Sequence, residues 1–338
     1  MKERIYWIDW AKAWCISVVV FDHTPHDGSP FLLQYLAGTN LATFFFISGF
    51  LKANSSSPKP TRQYCYTLLL PYLIYNAVYY PFWLIRHYIR QQGDIVFTDC
   101  LKPIAGTFLG QLNTSMSCEL NGVTWFLLSL FLMHCLCGLC RSLRHTYAAM
   151  LVLALTAMVL YGLNKYSPYA QNLTYNGFVR SLCFFFLGYA ARSENWLKPL
   201  PAKQSLTLGL TALAGSLALF YWHIHTPAFP QHIVLYYASS FLAIPGSIFI
   251  CRSLQSLHPW AVTTVATGTM LIFGTHRMVM GVIDFAMERL LAIGDIVYTI
   301  PQAVGLTIVI LLLSLPPIAW LSHHAPLLLG RRKAKAGT

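Results

Sequence analysis

The stretch IYWIDWAKAWCISVVVFDHTPHDG, residues Ile5 to Gly28, decides how the rest of the chain is read. It is apolar and long enough to cross a bilayer, whose hydrocarbon core takes about 20 helical residues, yet it keeps Asp9, Lys12, Asp22 and His23. Ionisable groups at that depth are costly, so their retention points to pairing, a polar cavity or function. Lys12 and His23 stand eleven residues apart, about three helical turns, which means roughly 16 Å of rise and nearly the same face. One helix thus presents a cation near one membrane surface and an imidazole deeper in. Plainer readings stand beside this one. Lys12 lies three residues after Asp9, a spacing at which the two pair while the ammonium snorkels to the interface, and His23 can serve as a helix cap or a headgroup contact.

Composition narrows the class. Of 338 residues 56% are hydrophobic and only 10% charged, with a mean hydropathy of +0.53, too little charge for the surface of a soluble domain of this size. The net charge of +12 would suit a nucleic-acid partner in a soluble protein. Here the basic residues gather in short clusters between apolar runs, so membrane topology accounts for them and no nucleic acid is expected. Most of the nine cysteines fall inside apolar runs and read as small buried hydrophobes, with no metal site expected. Cys100 and Cys118 share a non-membrane segment and would be able to bridge in an oxidising compartment. The first apolar run has no small-residue cleavage site, so it is expected to stay in the protein.

Apolar windows give an all-α, polytopic bundle of about ten transmembrane helices, near residues 5–24, 31–51, 66–86, 123–140, 147–164, 175–192, 205–223, 233–251, 261–283 and 300–322. The connections alternate in basic content. Fifteen Lys and Arg fall on the side that holds both termini, the loop 52–62 and the tail from Arg331, against five on the other. The positive-inside rule then places both termini in the cytoplasm, and the protein is expected in the cell's inner membrane. Residues 1–325 form a single transmembrane domain, and 326–338 a basic cytoplasmic tail. The segment 87–122 is expected outside, folded over the bundle partly as an interfacial or re-entrant piece.

Several stretches together resemble the acyltransferase-3 family of integral membrane O-acyltransferases, in particular its fucose 4-O-acetylase-like branch. They are WIDWAKAWCISVVVFDH (Trp7 to His23), with an Asp, a basic residue, ten residues and a His, then TFFFISGFL (Thr43 to Leu51), TRQYCYTLLLPYLIYN (Thr61 to Asn76), TWFLLSLFLMH (Thr124 to His134) and FVRSLCFFFLGYAAR (Phe178 to Arg192). Two features depart from that pattern. Lys12 stands where many members carry Arg, and FGTHRMVM (Phe273 to Met280), with His276, matches the late Tyr-Leu-x-His pattern only loosely.

The resemblance implies acyl transfer from acetyl-CoA, used as a substrate with no bound cofactor, to a hydroxyl of a carbohydrate or glycolipid acceptor. That reaction needs a base for the hydroxyl proton, a donor or cation for the oxyanion, and a dry pocket. His23 is the expected base, since an imidazole with an unperturbed pKa near 6.5 accepts a proton at neutral pH. Asp22 points about 100° away on a regular helix, so the group orienting His23 is expected from another span. Lys12, paired with Asp9, would meet the donor phosphates. Ser48 either faces the cavity or permits close helix packing, and Arg180, inside an apolar span, is a further candidate for donor binding. The rival class is a transporter or flippase in which Asp9, Lys12 and His23 relay a proton or substrate.

Overall fold

The structure, a computed structural model, describes residues 4–53, 61–93, 96–226, 230–291 and 296–331. Among these residues it is all helical. In chain order the helices are α1 (Tyr6–Asp22), α2 (Pro30–Ala53), α3 (Thr61–Tyr64), α4 (Leu70–Arg90), α5 (Phe97–Phe108), α6 (Trp125–Arg141), α7 (Thr146–Gly162), α8 (Leu173–Ser193), α9 (Ala202–His225), α10 (Gln231–Ser253), α11 (Trp260–Thr267), α12 (Thr269–Leu291) and α13 (Ile300–His324). A π-helical turn, Cys65–Leu69, joins α3 to α4, so Thr61–Arg90 runs as one helix with one wide turn.

Seven of the described helices are long and apolar enough to cross a membrane: α2, the run Thr61–Arg90, Gly122–Arg141, α9, α10, Thr269–Glu288 and α13. Hydrocarbon leaves no water for backbone amides, so apolar runs of this length close their hydrogen bonds within themselves. The three other expected spans are helices as well. However, α1 and α7 have 17 residues each, about 26 Å of helix against a core of about 30 Å, and α8 is diluted by Thr174, Asn176, Arg180 and Ser181. The expected continuous span 261–283 breaks at Gly268, where a Cβ would lie 2.1 Å from the Ile318 side chain.

The chain divides into two compact units. The first takes in Met1–Ser56, Phe184–Ile272 and Val282–Trp320. Its core is built on Ile16, Phe45, Phe184, Phe185, Tyr237, Ile244 and Ile248, all buried. Backbones approach closely where α2 meets α8: a Cβ on Gly49 would fall 1.8 Å from the Phe185 carbonyl oxygen, and one on Gly188 would fall 2.0 Å from that of Phe46. This is the small-residue packing by which helices associate in lipid. Polar side chains bind across the contacts. Asn40 donates to the Cys15 carbonyl at 2.8 Å, and Ser216 and Ser239 donate to each other's carbonyls at 2.8 and 2.9 Å.

The second unit takes in Ser57–Cys183, Phe273–Gly281 and Leu321–Thr338. Within the segment 87–122 it holds α5, whose Phe97, Leu101, Ile104 and Phe108 form an exposed apolar stripe, the face that an interfacial helix lays in the headgroup boundary. The chain after α5 is fastened by a buried amide. Gln111, in the left-handed region at φ 60°, donates from Nε2 to Asn76 Oδ1 at 3.0 Å and to Thr124 Oγ1 at 3.2 Å, while its Oε1 accepts from the Leu120 amide at 3.0 Å. Cys100 and Cys118, which the sequence allowed as a bridge, are both free thiols.

Candidate active site

Four of the sequence-derived residues, Asp9, Lys12, His23 and Ser48, belong to the first unit, and Arg180 and His276 to the second. The helix of α1 runs to Asp22, and His23 caps it with φ −89° and ψ −6°, still right-handed. The three-turn register from Lys12 to His23 therefore holds to its last residue, which leaves both on one stripe of the helix. Lys12 is half-buried and His23 exposed.

His23 is oriented from within its own helix. Its Nδ1 lies 2.8 Å from the Val19 carbonyl oxygen. A carbonyl only accepts, so Nδ1 carries the ring proton and the neutral imidazole keeps its lone pair on Nε2. Among the described contacts the ring is oriented by this backbone carbonyl one turn earlier, which also accepts the His23 backbone amide at 3.3 Å.

Asp9 forms its ion pair with Arg4, whose Nε is 2.5 Å from Oδ2; the sequence had counted Arg4 only towards topology. Arg4 also donates to the Thr263 carbonyl at 3.2 Å. Trp10 Nε1 donates to the Leu257 carbonyl at 3.0 Å, and Tyr6 packs on the His258 ring at 3.7 Å. These contacts bind the start of α1 to residues 257–263, which gives Asp9 an anchoring role. Ser48 donates to the Phe44 carbonyl of its own helix at 3.0 Å.

In the second unit, Arg180 is half-buried with its guanidinium carbon 6.0 Å from the Trp125 ring centre, a cation–π contact. Gly177, one turn earlier on α8, leaves the room that ring needs: a Cβ there would lie 1.8 Å from it. His276 is fully buried, 6.2 Å from Phe273 in an edge-on arrangement.

The sequence reading passed over His26 and Tyr298. His26 Nδ1 accepts from the Gly28 amide at 3.0 Å, so the neutral ring has its proton on Nε2, the reverse of His23. That Nε2 is buried and makes no hydrogen bond among the described residues. Residues 296–299 run beside this turn. The Asp27 amide donates to the Tyr298 carbonyl at 3.0 Å and the Tyr298 amide to the Pro25 carbonyl at 2.8 Å, while Tyr298 Oη donates to Asp284 Oδ1 at 2.9 Å. The spacing His23-Thr-Pro-His26 was the available sequence signal; nothing local marks Tyr298. The turn that ends α1 therefore offers an acceptor nitrogen on one imidazole and a donor nitrogen on the next. Among the described residues no group of three His, Cys, Asp or Glu is placed to hold a metal.

A family model described as an acyltransferase domain, that of the acyltransferase-3 family, matches residues 5–319. No curated protein and no solved structure matches the chain.

Proposed function

The chain belongs to the acyltransferase-3 family of membrane acyl-transferring enzymes, and from that premise we propose that it moves an acetyl group from acetyl-CoA to a hydroxyl of a carbohydrate or glycolipid in the cell envelope. The protein works from the inner membrane, with the donor arriving from the cytoplasm. His23 Nε2 takes the proton of the acceptor hydroxyl as its oxygen attacks the thioester carbonyl carbon. The C–S bond then breaks, and the departing thiolate takes the proton from His23 to leave as the free thiol of CoA. The charge that develops on the carbonyl oxygen needs a donor, and His26 Nε2–H, buried and without a hydrogen bond among the described residues, is the group suited to that role. Lys12, about 16 Å from His23 along the helix, is too far for the reacting carbon and reads as a contact for the donor's phosphates. The carbohydrate acceptor rests on the resemblance to the fucose 4-O-acetylase-like branch.

The observation that carries this reading is the hydrogen bond from His23 Nδ1 to the Val19 carbonyl, which fixes the tautomer a general base requires. Purified protein incubated with acetyl-CoA labelled in the acetyl group tests it. The expected result is labelled glycan or glycolipid, or slow thioester hydrolysis when no acceptor is added, lost in His23→Ala. Neither product from the folded wild-type protein would reject the reading.

A further inference from the structure

A cavity of about 530 Å³ opens in the second unit among Arg62, Tyr66, His324 and Arg331, and among the described residues no carboxylate lines it. Its volume lies in the range of small-molecule sites. Helix polarity accounts for only part of its charge. His323 and His324 stand in the last turn of α13, where a cation complements the partial negative charge of the carbonyl end. Arg62 comes from a different helix, and Arg331 lies beyond the end of α13, so neither is explained that way.

The Arg62 side chain and the backbone that carries Arg331 are both held in place by structure. Arg62 Nη2 donates to Tyr66 Oη at 3.4 Å and its guanidinium carbon is 5.7 Å from that ring. Tyr66 belongs to the π-helical turn Cys65–Leu69, a wide turn of a kind that recurs at functional sites. The other wall is the chain after α13. There Pro326–Leu329 form a 3-10 turn with Pro326 and Leu329 buried, and Tyr75 Oη donates to the Leu328 carbonyl at 2.6 Å. Gly330 then takes φ 69°, which turns the chain back so that the Arg331 amide donates to the Pro326 carbonyl at 2.9 Å. A tail left to solvent would not need a glycine in the left-handed region and a tyrosine from α4 to place its first arginine.

We propose that this cavity binds a phosphate ester, with the guanidinium groups of Arg62 and Arg331 as its two forks. Guanidinium matches the oxygens of phosphate in pairs, and Tyr66 keeps one fork oriented. Two sources carry that chemistry, the phosphates of a soluble nucleotide and the headgroup of an anionic lipid, for which basic pockets near the cytoplasmic surface are suited. The lipid source stands apart from the acyl-transfer reading, whereas the nucleotide source rests on it, because adenosine 3′,5′-bisphosphate is the head of CoA.

The test compares wild-type protein, Arg62→Gln/Arg331→Gln and, as a control for charge alone, Arg144→Gln, each checked for folding by its melting temperature. One arm measures equilibrium binding of adenosine 3′,5′-bisphosphate in detergent. The other counts phosphatidylglycerol retained from mixed phosphatidylcholine and phosphatidylglycerol nanodiscs. A roughly tenfold or greater loss in the double variant, with Arg144→Gln unchanged, is expected in one arm, and which arm it is names the source. Equal binding by the double variant and the wild type in both arms, or no binding of either probe by the wild type, would overturn the proposal.

Discussion

Nδ1 of His23 is held 2.8 Å from the carbonyl oxygen of Val19, so the last turn of α1 fixes the ring of the residue that follows it. The bond goes to a carbonyl that also accepts the His23 backbone amide at 3.3 Å and leaves Nε2 on the opposite edge of the ring. His23→Ala should therefore lower acyl transfer by about 10²- to 10⁴-fold, the usual loss for a general base. Because the side chain is exposed and its described bond goes to its own helix, the melting temperature should stay within a degree or two of wild type, the scale of an exposed substitution. Turnover close to wild type at equal folded protein would remove His23 from the mechanism.

Gly49 and Gly138 should answer the same substitution in opposite ways. A methyl on Gly49 would lie 1.8 Å from a backbone oxygen, whereas one on Gly138 meets nothing within 4 Å. Overpacking of this kind costs about 1–3 kcal/mol, and here the obstacle is backbone, which does not rotate away. At an open helical position Ala for Gly is neutral or stabilises by up to about 1 kcal/mol. Thermal unfolding in detergent should place Gly49→Ala clearly below wild type and Gly138→Ala at or above it. Equal melting of the two variants would contradict the close contact of α2 with α8.

The Tyr298 phenol is pushed up to about 12, by burial first and then by its hydrogen bond to Asp284 and that residue's charge. Its folded value is thus above the ordinary tyrosine value near 10, so the protonated phenol is favoured in the fold. The contribution is complete below pH 10 and is lost as pH rises through about 12. Spectrophotometric titration of wild type minus Tyr298→Phe should show one phenol ionising near the upper value. A difference curve centred near 10 would mean that the Tyr298–Asp284 contact does not persist in solution.

The helices and the Lys12–His23 stripe were legible because both rest on local periodicity, the signal a sequence carries most directly. The interruption between α11 and α12 was not. TGT around Gly268 reads as ordinary membrane helix until Ile318, fifty residues later, is seen to occupy the space of its missing side chain. Asp9 is a similar case. Helical spacing favoured Lys12 as its partner, and the described pair is with Arg4, which lies before the helix starts, where periodicity has nothing to say. For His26 the His-x-x-His spelling was present, but the donor role of its Nε2 depends on a backbone amide in the turn, which sequence does not position. Tyr298 reaches the same turn from more than 270 residues away in the chain.

Lys12 separates the two uses of a cation on α1. Asp9 already has Arg4 at 2.5 Å, so the charge of Lys12 is not required to neutralise it. If Lys12 contacts the phosphates of the donor, Lys12→Arg should keep most of the affinity and Lys12→Gln should raise the KM for acetyl-CoA by roughly tenfold or more with little change in kcat. That pattern follows from losing an interaction present equally in the ground and transition states. If Lys12 only carries its ammonium to the interface, an amide there is solvated at small cost and all three proteins should share one donor KM. Steady-state kinetics against acetyl-CoA at saturating acceptor distinguish the two. A common KM would confine the chemistry of this helix to the turn that holds His23 and His26.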